Sequence, residues 1–265
     1  MGVLDEILRY KREELARQKR DRPLADIEAR CRSLSPPRDF EAALHPAGPR
    51  QVRLIAELKT ASPSRGVLAE GLDPLTYAET AATSGAAALS VLTDERYFRG
   101  RIELLGEVRS VVAVPLLRKD FILDEYQLWE ARASGADAVL LIVAALDPSR
   151  LGELLHVAKG LGLGALVEVH TQGELDLALS AGASIIGINN RNLHTFETRL
   201  ETSLSLLPLV PPGPVVVSES GFFTRRDVER VVAAGAHAVL VGEALVKAPD
   251  LAAKVRELAL VEDLP

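Results

Sequence analysis

Short apolar or β-branched runs recur eight times along the chain: VRLIAEL (52–58), AALSVLTD (87–94), VPLLRKD (114–120), ADAVLLIV (136–143), GALVEVH (164–170), ASIIGINN (183–190), PVVVSES (214–220) and HAVLVGE (237–243). Helix-periodic stretches with end signals follow them. One begins on Asp73-Pro74 and stops at Gly85, a second stops at Gly135, and a third begins at Thr224 and stops at Gly235. DPSRLGELLHVAKGLG and TQGELDLALSAG repeat the design. Near-continuous apolar strands between amphipathic helices indicate parallel strands covered by helices. Eight such units predict an α/β fold, a (β/α)8 TIM barrel, with residues 1–265 as a single domain. The alternative is a doubly wound open sheet, which the lack of a G-x-G-x-x-G turn after the first strand disfavours.

Residues 1–45 precede the first strand and are expected to form an N-terminal helical extension. Leu4, Ile7, Leu8, Lys11 and Leu15 fall on one helical face, which should pack on the barrel. Pro36-Pro37 breaks this helical region, and a new helix is expected to restart near Asp39.

Composition narrows the class. A net charge of −6 gives no electrostatic footprint for nucleic acid. No uninterrupted apolar run approaches the roughly 20 residues of a membrane span, and the charged start of the chain resembles neither a signal peptide nor an anchor. A cytoplasmic protein is expected, as a monomer or weak homodimer. The lone Cys31 excludes an intramolecular disulfide framework and a cysteine zinc cluster. Arg outnumbers Lys, and Asn, Gln, Cys and Met are scarce, which suits a thermophilic source and equally a genomic base bias.

The chemistry lies where charges collide with buried strands. In a barrel of this kind the active site sits at the C-terminal strand ends. There stand Glu57 and Lys59 (strand 1), Lys119 (strand 3), Glu168 (strand 5) and Glu219 (strand 7), with Asn189 and Arg191 ending strand 6. Period-two alternation puts Ile55, Glu57 and Lys59 inward and leaves Leu54, Ala56 and Leu58 for the helices. A single strand-end charge is usually a solvated rim residue. One on every odd strand points to a shared ligand. Asp120 is read as orienting Lys119 or bonding nearby backbone. His170 and His194 lack a second His at ligand spacing, so no metal is expected. Gly221 after strand 7 and Gly242 after strand 8 occupy the loops that usually cradle phosphate in such barrels.

ELKTASPSRG (57–66), LRKDF (117–121), VEV (167–169), INNR (188–191) and SESG (218–221) together closely resemble the indole-3-glycerol phosphate synthase family of tryptophan biosynthesis, over essentially the whole chain. The resemblance implies ring closure, decarboxylation and dehydration of 1-(2-carboxyphenylamino)-1-deoxyribulose 5-phosphate, with no cofactor or metal. It implies Lys119 as general acid toward the substrate carbonyl, and Lys59 as an anion contact and proton donor for dehydration. Glu168 would be the acid/base partner, and Glu57 would orient the lysines. Ser62, Asn189, Arg191, Glu219 and Ser220 would hold substrate polar groups, Phe98 and Phe121 would flank the aromatic ring, and Gly221, Gly242 and the Glu243 backbone would hold phosphate. Lysines acting as acids imply lowered pKa values, which apolar walls and a neighbouring ammonium would favour. Two departures from the family pattern are Arg99 and Arg101 in YFRGR and Glu243 in VGEAL, whose carboxylate is expected to turn away from a phosphate. The competing readings are phosphoribosylanthranilate isomerase, which uses a Cys/Asp pair where this chain has its only Cys in the extension, and a barrel that binds a phosphorylated metabolite without turning it over.

Overall fold

The computed structural model describes residues 2–46, 48, 51–59, 61–62, 66–67, 71–192 and 195–261. Eight parallel strands close into a barrel: β1 Arg53–Leu58, β2 Ala88–Leu92, β3 Leu116–Lys119, β4 Ala138–Ile142, β5 Gly164–Val169, β6 Ile185–Asn189, β7 Val215–Glu219 and β8 Ala238–Val241. Each pairs with its sequence neighbour, and β8 returns to β1 with Arg53 opposite Ala238. An open doubly wound sheet is therefore excluded. A two-residue antiparallel ribbon, Ala61–Ser62 with Gly66–Val67, follows β1.

The helices are α1 Val3–Asp21, α2 Leu24–Cys31, α3 Phe40–Leu44, α4 Pro74–Thr83, α5 Glu95–Phe98, α6 Leu104–Val111, α7 Glu125–Ala133, α8 Pro148–Gly160, α9 Gln172–Ser180, α10 Glu201–Leu206, α11 Arg225–Ala233, α12 Glu243–Val246 and α13 Leu251–Leu258. Their starts follow the side chains that serve as caps. Asp73, Asp147, Thr171 and Thr224 each accept the N–H three residues on, which satisfies a donor the helix cannot.

Strand alternation sorts the interior into two layers. Leu54, Ala56 and Leu58 pack outward under the helices, while Ile55, Leu117, Leu166, Val215 and Val217 fill the barrel. The extension closes that inner core at both ends. Phe40 and Leu44 of α3 plug the floor, where a Cβ on Gly164 would stand 3.2 Å from that of Phe40. Leu4, Ile7 and Leu8 of α1 join the same core at the mouth. Each buried aliphatic side chain contributes on the order of 1.5–3 kcal/mol.

Lys11 lies on the packed face of α1, as its spacing predicts, and 3% of it is exposed. Its ammonium meets Asp94 at 2.8 Å, Asp120 at 3.0 Å and Glu14 at 2.7 Å. Asp120 in turn accepts from Thr93 Oγ1 (2.6 Å), the Phe121 N–H (2.8 Å) and Arg118 (3.1 Å), while Arg118 reaches Glu130 at 2.9 Å. The three consecutive charges 118–120 thus part company. Arg118 turns to the helix layer, Lys119 into the mouth, and Asp120 across to α1. Asp120 bonds backbone, as one of its two readings had it, and its contacts tie down α1 rather than Lys119.

Candidate active site

Strand alternation aims Glu57, Lys119, Glu168 and Glu219 into one mouth. Lys119 is the centre: its ammonium lies 3.1 Å from Glu168 Oε2 and 2.9 Å from Glu219 Oε2. Burial alone would lower the Lys119 pKa, but Glu219 and Glu168 more than offset it and hold the ammonium firmly charged. The expectation of a depressed Lys119 is thereby reversed. The two glutamates split. Burial pushes both up, but Lys119 and His170 carry Glu168 below the ordinary carboxylate range. Glu219, with Glu168 and Glu57 nearby, is pushed up to about 7. Three charges in one buried cluster titrate together.

Glu219 sits deeper in this cluster than the substrate-polar-group reading implies. Its Oε1 is buried and has no hydrogen-bond partner among the described residues, and Gly187 of β6 makes its place, because a Cβ there would stand 2.2 Å from that oxygen. Gly187 was not singled out from the sequence; its inward position on a strand otherwise made of large residues was the available signal.

Glu57 of β1 and Lys59 just beyond its end lie 3.6 Å apart between Oε2 and Nζ. The Lys59 ammonium also stands 5.5 Å from the centre of the Phe98 ring. Phe98 and Phe121 face one another at 6.3 Å. With Val3, Leu4, Ile7 and Ile142 they wall an apolar compartment whose base is Glu57, Lys59, Lys119, Glu168 and Glu219. Asn189 closes one side, its Oδ1 accepting from the Arg191 N–H at 3.0 Å.

A second, polar compartment opens beside the first and shares Glu57, Lys59, Arg191 and Ser220 with it. Thr198, Gly221, Gly242 and Glu243 line it. Ser220 and Gly221 are both left-handed (φ +69° and +89°), a pairing that turns the β7 loop sharply under the compartment. The Glu243 carboxylate meets Lys247 at 2.8 Å and lies 3.9 Å from Arg191. Gly242 has a second reason to be glycine: a Cβ there would stand 2.3 Å from Glu57 Oε2. Its smallness makes room for Glu57 as well as lining the polar compartment. Ser62 belongs to the short ribbon, and its side chain and His194 lie outside the described residues.

The two arginine departures have local explanations. Arg99 ends α5 in a left-handed conformation (φ +55°), and Arg101 forms a two-pronged pair with Glu107 at 2.5 Å on each arm. Gly100 between them touches the Leu92 backbone too closely for any side chain. Cys31 is on α2, lines neither compartment, and donates to the Trp129 carbonyl. Among the described residues no group of three or more His, Cys, Asp or Glu is arranged to hold a metal ion.

Sequence reasoning treated His170 only as a possible ligand. It stands two residues beyond Glu168 on the same face, with Nε2 3.5 Å from Glu168 Oε1 and Nδ1 3.2 Å from Glu174. The alternation that placed Glu168 also placed His170 next to it.

Comparison with known proteins shows the family. The family model described as indole-3-glycerol phosphate synthase matches residues 4–258. The chain is 54% identical over 264 residues to a protein of that name from Roseiflexus sp. (strain RS-1), covering 97% of each. It is 49% identical to one from Chloroherpeton thalassium, covering 96% of this chain and 98% of that one. Among solved structures it resembles 3-hexulose-6-phosphate synthase from Salmonella typhimurium at 15% identity, with a TM-score of 0.65 over 79% of this chain and 98% of that one. Thiamine phosphate pyrophosphorylase from Pyrococcus furiosus is similar at 18% identity, with a TM-score of 0.59 over 78% and 93%. Those two likenesses bear on the barrel alone. The chain belongs to the indole-3-glycerol phosphate synthase family.

Proposed function

We propose that the mouth cluster performs the family's ring closure, decarboxylation and dehydration with the residues named from the sequence. The observation that carries this reading is the Lys119 ammonium held between Glu168 and Glu219 at the base of an apolar compartment, which meets a polar one at Glu57, Lys59, Arg191 and Ser220. A planar carboxyphenylamino group suits the Phe98–Phe121 side, and a phosphate suits the Ser220, Gly221, Gly242 and Glu243 backbone side, with Lys59 and Arg191 between.

In this assignment Lys119 donates a proton to the carbonyl oxygen as the ring carbon attacks, so the developing alkoxide never stands unprotected. The carbon–carboxylate bond then breaks and its electron pair restores the aromatic ring. Dehydration follows, in which Lys59 protonates the departing hydroxyl and Glu168 takes a proton from the neighbouring CH2. Glu57 orients Lys59. Glu219, near neutrality in its pKa, shares the proton load of Lys119, a role added to its proposed contact with substrate. The phosphate handle supplies binding energy away from the reacting atoms.

The proposal extends to a metal-independent reaction with no cofactor, a single barrel domain, a cytoplasmic location and a monomer or weak homodimer. No helix among the described residues is long and apolar enough to cross a membrane. The test is purified protein with the carboxyphenylamino deoxyribulose phosphate, followed by indole fluorescence in the presence of chelator. Turnover is expected. Activity that vanishes with chelator and returns with one divalent ion would overturn the metal-free reading, and tight binding without turnover would favour the non-catalytic barrel.

A further inference from the structure

Between β3 and α7 the chain passes through residues 120–124, which form neither strand nor helix. This crossing carries Phe121, whose ring faces Phe98 in the apolar compartment. Its backbone polar groups are buried and need partners that no ladder supplies. Side chains supply them instead. The Phe121 N–H donates to Asp120 Oδ1 at 2.8 Å, and the Phe121 carbonyl accepts from Gln127 Nε2 at 2.9 Å. Both polar groups of this one residue's backbone are thus held by side chains that are themselves buried.

Gln127 lies in the first turn of α7 and is 1% exposed. Its Oε1 accepts the Asp124 N–H at 3.2 Å and the Leu123 N–H at 2.8 Å. The bond to Asp124 completes a capping box, and the helix asks no more than that. The bonds to residues 121 and 123 reach back beyond the helix start and do nothing for a cap. A glutamate would complete the box equally well, but an ionised carboxylate has no hydrogen for the Phe121 carbonyl. An amide meets all three demands, accepting two N–H groups on one side and donating on the other. The surroundings are also pinned. Arg118 donates to the Gln127 carbonyl at 2.9 Å, and Arg150 of α8 donates to the Leu123 carbonyl at 3.1 Å.

We propose that Gln127 is a positioning residue for the aromatic half of the substrate, acting through the backbone of Phe121. Gln127 itself lines neither compartment. Without its amide the Phe121 carbonyl is left buried with no donor, so the crossing must turn to find one, and the ring moves with its Cα. Lys119 is insulated from that movement. Asp120, which stands between the two, is anchored separately by Lys11, Arg118 and Thr93. A ring that flanks the substrate before and during reaction contributes to both states alike, so its displacement falls on KM rather than kcat. The phosphate side, at Ser220, Gly221 and Gly242, lies in the neighbouring compartment and keeps its affinity.

The inference rests on the proposed reading of Phe121 as a flank of the carboxyphenyl ring, so the experiment separates the two. Gln127→Met, Gln127→Glu, Phe121→Ala and Asp250→Ala are compared with wild type at pH 6 and pH 9 for kcat, KM, Tm and the Ki of inorganic phosphate as competitive inhibitor. Gln127→Met loses all three bonds, and its KM should rise about tenfold with kcat and phosphate Ki nearly unchanged. Gln127→Glu is a conditional rescue. The charges around the position are already matched, Arg118 by Asp120 and Glu130, and Arg150 by Asp124 and Glu153. Burial therefore keeps the new carboxyl protonated at pH 6, where its O–H can donate to the Phe121 carbonyl and KM should stay near wild type. At pH 9 it is ionised, and KM should approach that of Gln127→Met. Asp250→Ala removes the cap of α13 and should lower Tm without moving KM. If Phe121→Ala raises KM while both Gln127 variants match wild type, Gln127 is only a helix cap and the inference is wrong. A Gln127→Met loss that falls on kcat, or weakens phosphate as much as substrate, is general loosening and also overturns it. Should Gln127→Met fail to fold, Gln127→Glu decides: a KM ratio to wild type that is the same at both pH values refutes the positioning role. If Phe121→Ala itself leaves KM unchanged, the reading beneath the inference fails.

Discussion

Gly187→Ala isolates the deepest part of the site with a single methyl group. The added Cβ would stand 2.2 Å from Glu219 Oε1 and 3.1 Å from Leu166 Cδ1. Neither neighbour has free room, since Glu219 is 1% exposed and Leu166 fully buried. Restoring an ordinary contact requires the carboxylate to move by about 1 Å, and a misplacement of that size in a catalytic constellation costs about 10²-fold in rate. The shift comes at the expense of the 2.9 Å bond from Lys119, so the lysine should settle toward Glu168. Overpacking at such a position also costs about 1–3 kcal/mol. Expected, then, is a protein that folds with a lower Tm, binds substrate nearly normally and turns it over roughly a hundredfold more slowly. Indole fluorescence gives kcat and KM, and circular dichroism gives Tm. Gly152→Ala is the control, because a Cβ there on α8 meets nothing within 4 Å. It should leave kcat alone and gain up to about 1 kcal/mol in helix propensity. A Gly187→Ala enzyme within about threefold of wild-type kcat would refute the reasoning, showing that Glu219 tolerates displacement and that its contact with Lys119 is dispensable.

Lys119→Arg keeps the charge between the two glutamates but replaces one compact ammonium by a wide planar fork that misplaces the donated proton, so kcat should fall by about 10²–10⁴ with KM near normal; more than about a tenth of wild-type kcat, with chemistry rate-limiting, would reduce Lys119 to a charge. Glu219→Gln should be stabilising above pH 7 and neutral near pH 4. The carboxyl is raised from 4.5 to about 7 in the fold, so the folded chain holds its proton where the unfolded chain releases it, and wild-type stability declines as pH rises across that window. The gain is at most on the order of 3 kcal/mol, read as Tm against pH, and a Tm difference constant with pH would contradict the assignment. Lys11→Met should destabilise the fold by about 3–5 kcal/mol, because Asp94 is left buried without its cation and Asp120 keeps only Arg118; denaturant unfolding measures it, and a change below about 1 kcal/mol would show that the network is held by Arg118 alone.

The barrel was legible because one rule repeats. Inward and outward residues alternate on β1 and β7 as their spelling requires, and Asp73, Thr224 and their equivalents announce helix starts within a residue or two. Observed strands are shorter than their apolar runs, since Leu116–Lys119 is all of VPLLRKD that finds ladder partners. The charged cluster was legible for the same reason, but its electrostatics were not. Whether Lys119 is pushed up or down depends on whether Glu219 and Glu168 touch it, at 2.9 and 3.1 Å, or merely share its mouth, and period-two reasoning gives a face, not a distance. Nor could pattern alone join Lys11 to Asp94 and Asp120. That contact crosses from an extension to a barrel, and only the docking angle of α1 brings it about. Gly187 and the second role of Gly242 were hidden because a glycine's meaning lies in the neighbour it admits.

The N-terminal extension has a further consequence, for the order in which the molecule is made. Among the described residues its hydrogen bonds and ion pairs to the barrel end on residues between 53 and 137, with Ser184 on Glu41 the exception. Nearly all its polar partners therefore leave the ribosome with the first half of the chain. Synthesis proceeds from the N-terminus and early segments can settle before late ones exist. Helix α1 can thus dock on the half-barrel before Glu168 and Glu219 have been translated. The last strands then close against a wall already standing, and the mouth's two late glutamates arrive at a lysine whose surroundings on one side are already fixed.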